Sequence, residues 1–573
     1  MATTNWQCLK HWLGAALASL FFIQLSCVTA SENLPVVKLG GTEVIGTSYK
    51  YLGAAEQEFF GGIPYAEPPV NDLRFAPPVP KNTLDTPVFD ATRYGLPCPQ
   101  LGLNNGTEDC LKLNILRPAR TEAGCDAPMP VLVWLYGGGF KTGAADQLNA
   151  STLVMHSVQR GTPIIYVNLN YRVGPFGFPQ GAEAMARGAL NLGLKDQLAA
   201  LSWVKQNIAA FGGDPEKVTL YGQSAGSISI ADLYLNSGLE TLVRGTIMSS
   251  GFAGTTSVFN ATRRETEWTN FVNATPECAG SAGTNETFPC MRNASLATLL
   301  SAYNTSSAES PESFQFVPVI DGPDGLIPDL PSKLMSEGKF SRIPLITGAN
   351  LDDGTFFTPT IVTTPDQIAQ VLALLAFPFA SGPPPAPFAS AVSAILSLYA
   401  DDPALGSPYG TGDATFGLSP EYKRLAAIIG DLNFHALRRA WMDAVVSAHA
   451  REPGVGHDGG VYGYLFADAQ AVAAPQLGVT HATEVPYMYG ATFLDGPQPA
   501  GALSEAMMDY ILGFITSLNP NDGIGSERPY WPQYTPGSKV LMQLAGGNTT
   551  VIPDDYRQQQ IAFLNSVSGE FGQ

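Results

Sequence analysis

Residues 222–226 read Gly-Gln-Ser-Ala-Gly. This G-x-S-x-G pattern presents a serine hydroxyl as a nucleophile when it falls on a tight strand-to-helix turn. The pattern is short and arises by chance, so its setting decides. Ser224 follows an apolar run, Val218 to Tyr221, and opens a helical stretch, Gly226 to Leu235. Small residues at 222, 225 and 226 let neighbouring backbone approach the turn. A second chemical segment is Tyr-Gly-Gly-Gly-Phe at 136–140, at the end of another apolar run. Glycines there expose backbone N–H groups to a ligand. The segment lacks the Gly-Lys-Ser/Thr ending of a phosphate loop and the spacing of a dinucleotide fingerprint. Beside an elbow serine, it is expected to stabilise an oxyanion.

The elements that must carry these groups alternate along the whole chain. Val131 to Tyr136, Pro163 to Leu169, Val218 to Tyr221, Leu242 to Met248, Ile343 to Thr347 and Val461 to Phe466 read as strands. Helical patterns such as Leu194 to Ala210 lie between them. Continuous apolar strands separated by helices predict an α/β fold with a mostly parallel sheet covered on both faces. The turn-rich first hundred mature residues predict a small antiparallel edge. Residues 358–450 predict an inserted helical region, with one apolar helix over Pro365 to Phe379 and a longer amphipathic one near 420–448. No linker, charge block or internal repeat divides the chain, so residues 31–573 are expected to form a single domain.

Composition narrows the function. The chain has 573 residues, 45% of them hydrophobic and only 14% charged, against about 25% charged in an average soluble domain. That excludes a solvated, disordered chain. A formal charge of −19 disfavours nucleic acid and anionic membranes, both of which need clustered Lys and Arg. Residues 1–30 read as a secretory signal peptide. Lys10 and His11 precede an apolar run, Trp12 to Leu25, which ends in Val28-Thr29-Ala30. That run falls short of the roughly 20 residues that span a bilayer. Cleavage removes Lys10 and no acidic residue, making the mature charge −20. It also leaves two closely spaced cysteine pairs, Cys98 with Cys110 and Cys278 with Cys290, and an odd Cys125. Eight N-x-S/T sequons, at Asn105, Asn149, Asn260, Asn273, Asn285, Asn293, Asn304 and Asn548, are expected to be glycosylation acceptors in a secreted chain.

Several segments resemble the type-B carboxylesterase/lipase family, the cholinesterase-like α/β-hydrolases, and in particular its fungal secreted members. They are F-G-G-D-P-E-K-V-T-L-Y-G-Q-S-A-G at 211–226, E-D-C-L-K-L-N-I at 108–115, and L-N-L-G-L-K-D-Q-L-A-A-L-S-W-V at 190–204. F-F-G-G-I-P-Y-A at 59–66 and N-Y-R-V-G-P-F-G-F at 170–178 add to them. The resemblance implies an α/β-hydrolase fold, secretion, and hydrolysis of carboxylic esters without metal or cofactor.

It also implies a serine, acid, histidine order. Past Ser224 only His435, His449, His457 and His481 remain. His435 and His449 fall in the amphipathic helix. His457 precedes the strand 461–466 and so sits at its amino end, whereas sites on open α/β sheets gather at carboxyl ends. His481 follows that strand, in G-V-T-H-A-T-E-V-P-Y-M-Y-G, and matches the family's histidine loop, with Ala482 where the family usually has glycine. The strand 343–347 leads into G-A-N-L-D-D-G-T. The family places its acid before the glycine, which selects Asp353, with Asp352 as the fallback. Ser224, His481 and Asp353 are therefore the expected triad, and the backbone of Gly138, Gly139 and Ala225 the expected oxyanion hole. Phe140, Phe356, Phe357 and residues of 365–379 are expected to line an acyl pocket.

Lipases of the family carry an amphipathic lid on the loop closed by the first disulfide. Here residues 99–109 are too few for a lid helix, so little interfacial activation is expected, although 358–415 is apolar enough to act as a flap. A lipase or sterol esterase, a peptidase, and a non-catalytic adhesion protein are the competing readings. The intact triad and the lack of a membrane anchor weigh against the last. A small neutral ester is the expected partner.

Overall fold

A computed structural model describes residues 34–573 apart from 54, 104, 120–126, 236–237, 380–381 and 452–459. Residues 1–30, expected to be a signal peptide, Cys125 and His457 lie outside the described residues.

The uninterrupted apolar runs become the buried centre of an eleven-stranded sheet. Ahead of it, β1 (Val36–Leu39) and β2 (Thr42–Ile45) join the later β5 (Val88–Asp90) in a separate three-stranded sheet. The main sheet begins with β3 (Thr47–Tyr51), β4 (Ala55–Pro64) and β6 (Lys112–Pro118). It continues with β7 (Met129–Leu135), β8 (Ile165–Leu169), β9 (Gly213–Gln223) and β10 (Gly245–Ser249). β11 (Leu345–Asn350), β12 (Val461–Phe466), β13 (Val540–Leu544) and β14 (Thr550–Pro553) complete it. The spatial order is β14-β13-β12-β11-β10-β9-β7-β8-β6-β4-β3. From β8 to β13 every pairing is parallel, while both edges are antiparallel.

The two-residue period of a strand divides the core. Val131, Val133 and Leu135 of β7 face one hydrophobic cluster, and Leu132 and Trp134 face a second. Each large apolar side chain buried this way contributes roughly 1.5–3 kcal/mol. The pairings Leu135↔Gly222, Gln223↔Ser249 and Asn350↔Phe466 bring the carboxyl ends of β7, β9, β10, β11 and β12 to one rim.

The helical insertion is present, with its own core. It holds α1 (Pro365–Ala376), α2 (Ala386–Leu398), α3 (Pro420–Gly430) and α4 (Ala436–Arg451). The single amphipathic helix expected near 420–448 is in fact two, α3 and α4, joined by a π-helical turn at Asp431–His435. Tertiary bonds hold this wider turn: Arg557 donates from Nε and an Nη to Asp431, and Thr255 Oγ1 donates to the carbonyl of Asn433. Both cysteine pairs are disulfides, Cys98–Cys110 and Cys278–Cys290.

Candidate active site

Ser224 sits between β9 and the helix Ala225–Tyr234. Its φ of 54° and ψ of −125° are a sparsely populated conformation for a residue with a side chain, the kind that persists where surroundings over-determine it. Here the Ser224 N–H donates to Ser249 O, and the Ser224 carbonyl accepts from Ile228 N–H. A Cβ on Gly226 would stand 2.1 Å from Leu135 O, which is why nothing larger fits beneath the turn. Ser224 is half-buried while Gly222, Gln223, Ala225 and Gly226 are buried, so the serine is the most exposed of the five.

The loop after β7 places Gly138 and Gly139 opposite. Both have positive φ, 108° and 63°. Among the described residues, the N–H groups of Gly138, Gly139 and Ala225 have no hydrogen-bond acceptor. Three unspent donors beside a serine can receive a developing oxyanion.

Asp353 and His481 come from the loops after β11 and β12. His481 Nδ1 lies 2.8 Å from Asp353 Oδ1. The other oxygen of Asp353 accepts from Asn350 N–H at 2.7 Å and Ser250 Oγ at 2.9 Å. Gly354, immediately after the acid, packs against α3, where a Cβ would meet Ala426 O at 2.1 Å. His481 Nε2 faces Gln223 Nε2 at 3.2 Å.

The fallback acid does other work. Asp352 accepts from Ser407 Oγ, Tyr409 N–H and Val479 N–H, and burial raises its pKa. His435 pairs through Nδ1 with the Tyr556 hydroxyl, and burial drives its pKa well down. Glu484 is a buried carboxyl near His481. Burial and then the charge of Asp353 push it up to about 7, against the opposing pull of His481 and a hydrogen bond from Asn350.

Aromatic rings frame the histidine. Phe357 stands 4.9 Å from the His481 ring centroid and Phe356 6.1 Å. Two further rings carried no sequence signal. Phe434, on the π turn, lies 5.3 Å from His481, and Phe314 lies 5.8 Å from Phe357 and against Gly139. Phe140 is fully buried and packs on Phe178 at 5.1 Å. The first-disulfide loop, 99–109, holds no helix among its described residues. All eight sequon asparagines are exposed. No helix among the described residues is long and apolar enough to cross a membrane.

A parallel sheet with a serine elbow, an acid and a histidine after successive strands defines an α/β-hydrolase. A match to the carboxylesterase family model over residues 33–564 makes the assignment specific: the chain belongs to the carboxylesterase family and is a carboxylic ester hydrolase. It is 34% identical to secreted lipase 1 of Botryotinia fuckeliana, over 89% of each chain. It is 31% identical to lipase 1 of Geotrichum candidum, over 97% of this chain and 100% of that one. The crystal structure of Aspergillus niger EstA superposes with a TM-score of 0.77 at 24% identity, covering 94% of this chain and 99% of that one. This last likeness concerns the fold.

Proposed function

We propose that the chain is a secreted serine esterase in which Ser224, His481 and Asp353 form the triad. The observation that carries this is the 2.8 Å contact of His481 Nδ1 with Asp353 Oδ1 on the rim that bears the Ser224 elbow. With Nδ1–H donated to Asp353, Nε2 is left as the base. It removes the Ser224 proton as Oγ attacks the ester carbonyl. The oxyanion is held by the N–H groups of Gly138, Gly139 and Ala225, each such donor worth roughly 3–4 kcal/mol in comparable sites. The imidazolium returns its proton to the departing alcohol, and water then hydrolyses the acyl-enzyme by the same path in reverse. Asp353 keeps its charge and steadies the imidazolium.

The rings of Phe314, Phe356, Phe357 and Phe434 favour an apolar acyl group. A lipase reading is supported by the names of the relatives. The short 99–109 loop argues for action on dispersed esters without a large interfacial jump. A fluorophosphonate probe tests the nucleophile: it should label the native protein and not Ser224→Ala. A panel of short acyl, long acyl, sterol and aromatic esters, assayed below and above their solubility limits, ranks the substrate classes. A sharp rate increase on crossing that limit would make the lipase reading the better one.

A further inference from the structure

The base nitrogen of the candidate site has a partner that the mechanism above does not use. Gln223 is the last residue of β9, fixed by its pairing with Ser249 and nine-tenths buried. Its Nε2 lies 3.2 Å from His481 Nε2. Its Oε1 is turned the other way, toward Gly137, where a Cβ would approach it to 2.9 Å. Because Nδ1–H of the neutral ring is donated to Asp353, Nε2 presents a lone pair. The amide N–H is the group that satisfies it, and the amide carbonyl would repel it.

The remaining surroundings of His481 are few. From the segment after β11 come Asp353 and the rings of Phe356 and Phe357, from the π turn Phe434, and from its own loop Glu484. Asp353 and Glu484 are the charged or titratable neighbours, and both favour the imidazolium when ionised. Gln223 acts in the opposite sense. A hydrogen bond made only to the neutral form of a base stabilises that form.

We propose that Gln223 is a positioning residue that holds His481 neutral in the resting site by donating to the Nε2 lone pair, yields that lone pair to the Ser224 hydroxyl when an ester binds, and so extends activity toward acid pH. This inference rests on the triad reading above. Its content is a ranking. Gln223→Met keeps the length and removes the donor, so His481 gains a proton at a pH higher by about 0.5 unit. Gln223→Glu puts an acceptor and a charge in the same place and raises that pH by about 1–2 units.

Two measurements on the full chain separate the possibilities. Histidine ring titration by NMR, with His481 assigned from a His481→Gln control, reads the proton equilibrium directly. The acid limb of kcat/KM for a soluble ester reads its use. The expected order of both midpoints is native, then Gln223→Met, then Gln223→Glu, with thermal melting confirming that all three fold. A His481 titration identical in the three proteins overturns the proposal. A titration that follows the order while the acid limb of turnover stays fixed overturns instead the assignment of His481 as the base.

Discussion

Among the described residues there are two buried histidine–aspartate pairs of nearly equal length. His481 Nδ1 and Asp353 Oδ1 are 2.8 Å apart, and His156 Nε2 and Asp509 Oδ1 are 2.9 Å apart. Their surroundings differ in three ways. Asp353 has neutral donors besides the histidine, Asn350 N–H and Ser250 Oγ. Asp509 also faces Arg160 at 3.1 Å and Arg528 at 3.6 Å, and accepts from both the N–H and hydroxyl of Ser526. His156 and Asp509 lie within regular helices, Ser151–Gln159 and Ala500–Ser517. In the other pair Asp353 opens a single 3-10 turn, Asp353–Phe357, and His481 lies on a loop directly before Ala482, whose φ is 69°. No elbow serine accompanies His156. A short contact alone therefore does not mark catalysis. In the proposed triad the carboxylate meets only the histidine and neutral donors, and the backbone after the histidine has a positive φ.

Exchanging one carboxylate in each pair should separate the roles most widely. Asp353→Asn should lower kcat about ten-thousandfold, as loss of a triad acid does, with Ser224→Ala at least as severe. Neither should shift the melting temperature much. Asp509→Asn should do the reverse, costing on the order of 3 kcal/mol because two buried arginines keep only one charged partner, Asp522, between them, with kcat within about twofold of native. The acid side carries its own signature. Burial raises the Asp509 pKa, but hydrogen bonds from His156 and Ser526 and the His156 charge outweigh it, and the result is lowered. A depressed folded pKa gives stability that is present above the unfolded value of about 3.9 and is lost as pH falls through the folded one. Chemical denaturation of Asp509→Asn should therefore show a flatter loss below about pH 4. If kcat follows Asp509, the comparison fails.

Much of this architecture is legible in the residues. The runs at 131–136, 218–221, 343–347 and 461–466 are apolar at nearly every position because strands covered on both faces must be. Each fixed where a chemical loop begins. The glycine after Asp353 has a local cause, the backbone of α3 lying against it. Phe314 and Phe434 carry no comparable signal. Each meets the cleft only through a tertiary approach, and Phe434 through a π turn that the 3.6-residue periodicity of 420–448 conceals. The Gln223 contact is invisible in sequence, since 258 residues separate it from His481.

A smaller effect is expected at Glu484, which links the His481 loop to Asn350. Its Nδ2 donor reaches Oε2 at 2.6 Å, and Oε1 has no partner among the described residues. With a folded pKa raised to about 7, above the unfolded value of about 4.3, the native state holds a proton that the unfolded state releases. The associated stability is full below about pH 4 and lost as pH rises through 7. Glu484→Gln, which mimics the protonated form, should melt higher than native at pH 8 and nearly equal to it at pH 4. An unchanged difference across that range would place the Glu484 titration elsewhere.

The smallest expected effect bears on backbone strain, the second of the three differences. Ala482 follows His481 at φ 69°, a conformation that costs a residue with a Cβ roughly 1 kcal/mol. Glycine adopts it freely but adds conformational entropy to the unfolded chain, which offsets part of the gain. Ala482→Gly should therefore raise stability by about 0.5 kcal/mol, read as a shift in denaturation midpoint at constant slope. The His481 loop is also held by Asn350 donating to Thr480 O and by the Asp353 contact, so kcat should stay within about twofold. A large fall in kcat with no loss of stability would mean that the alanine methyl, and not the surrounding hydrogen bonds, holds His481 toward Asp353.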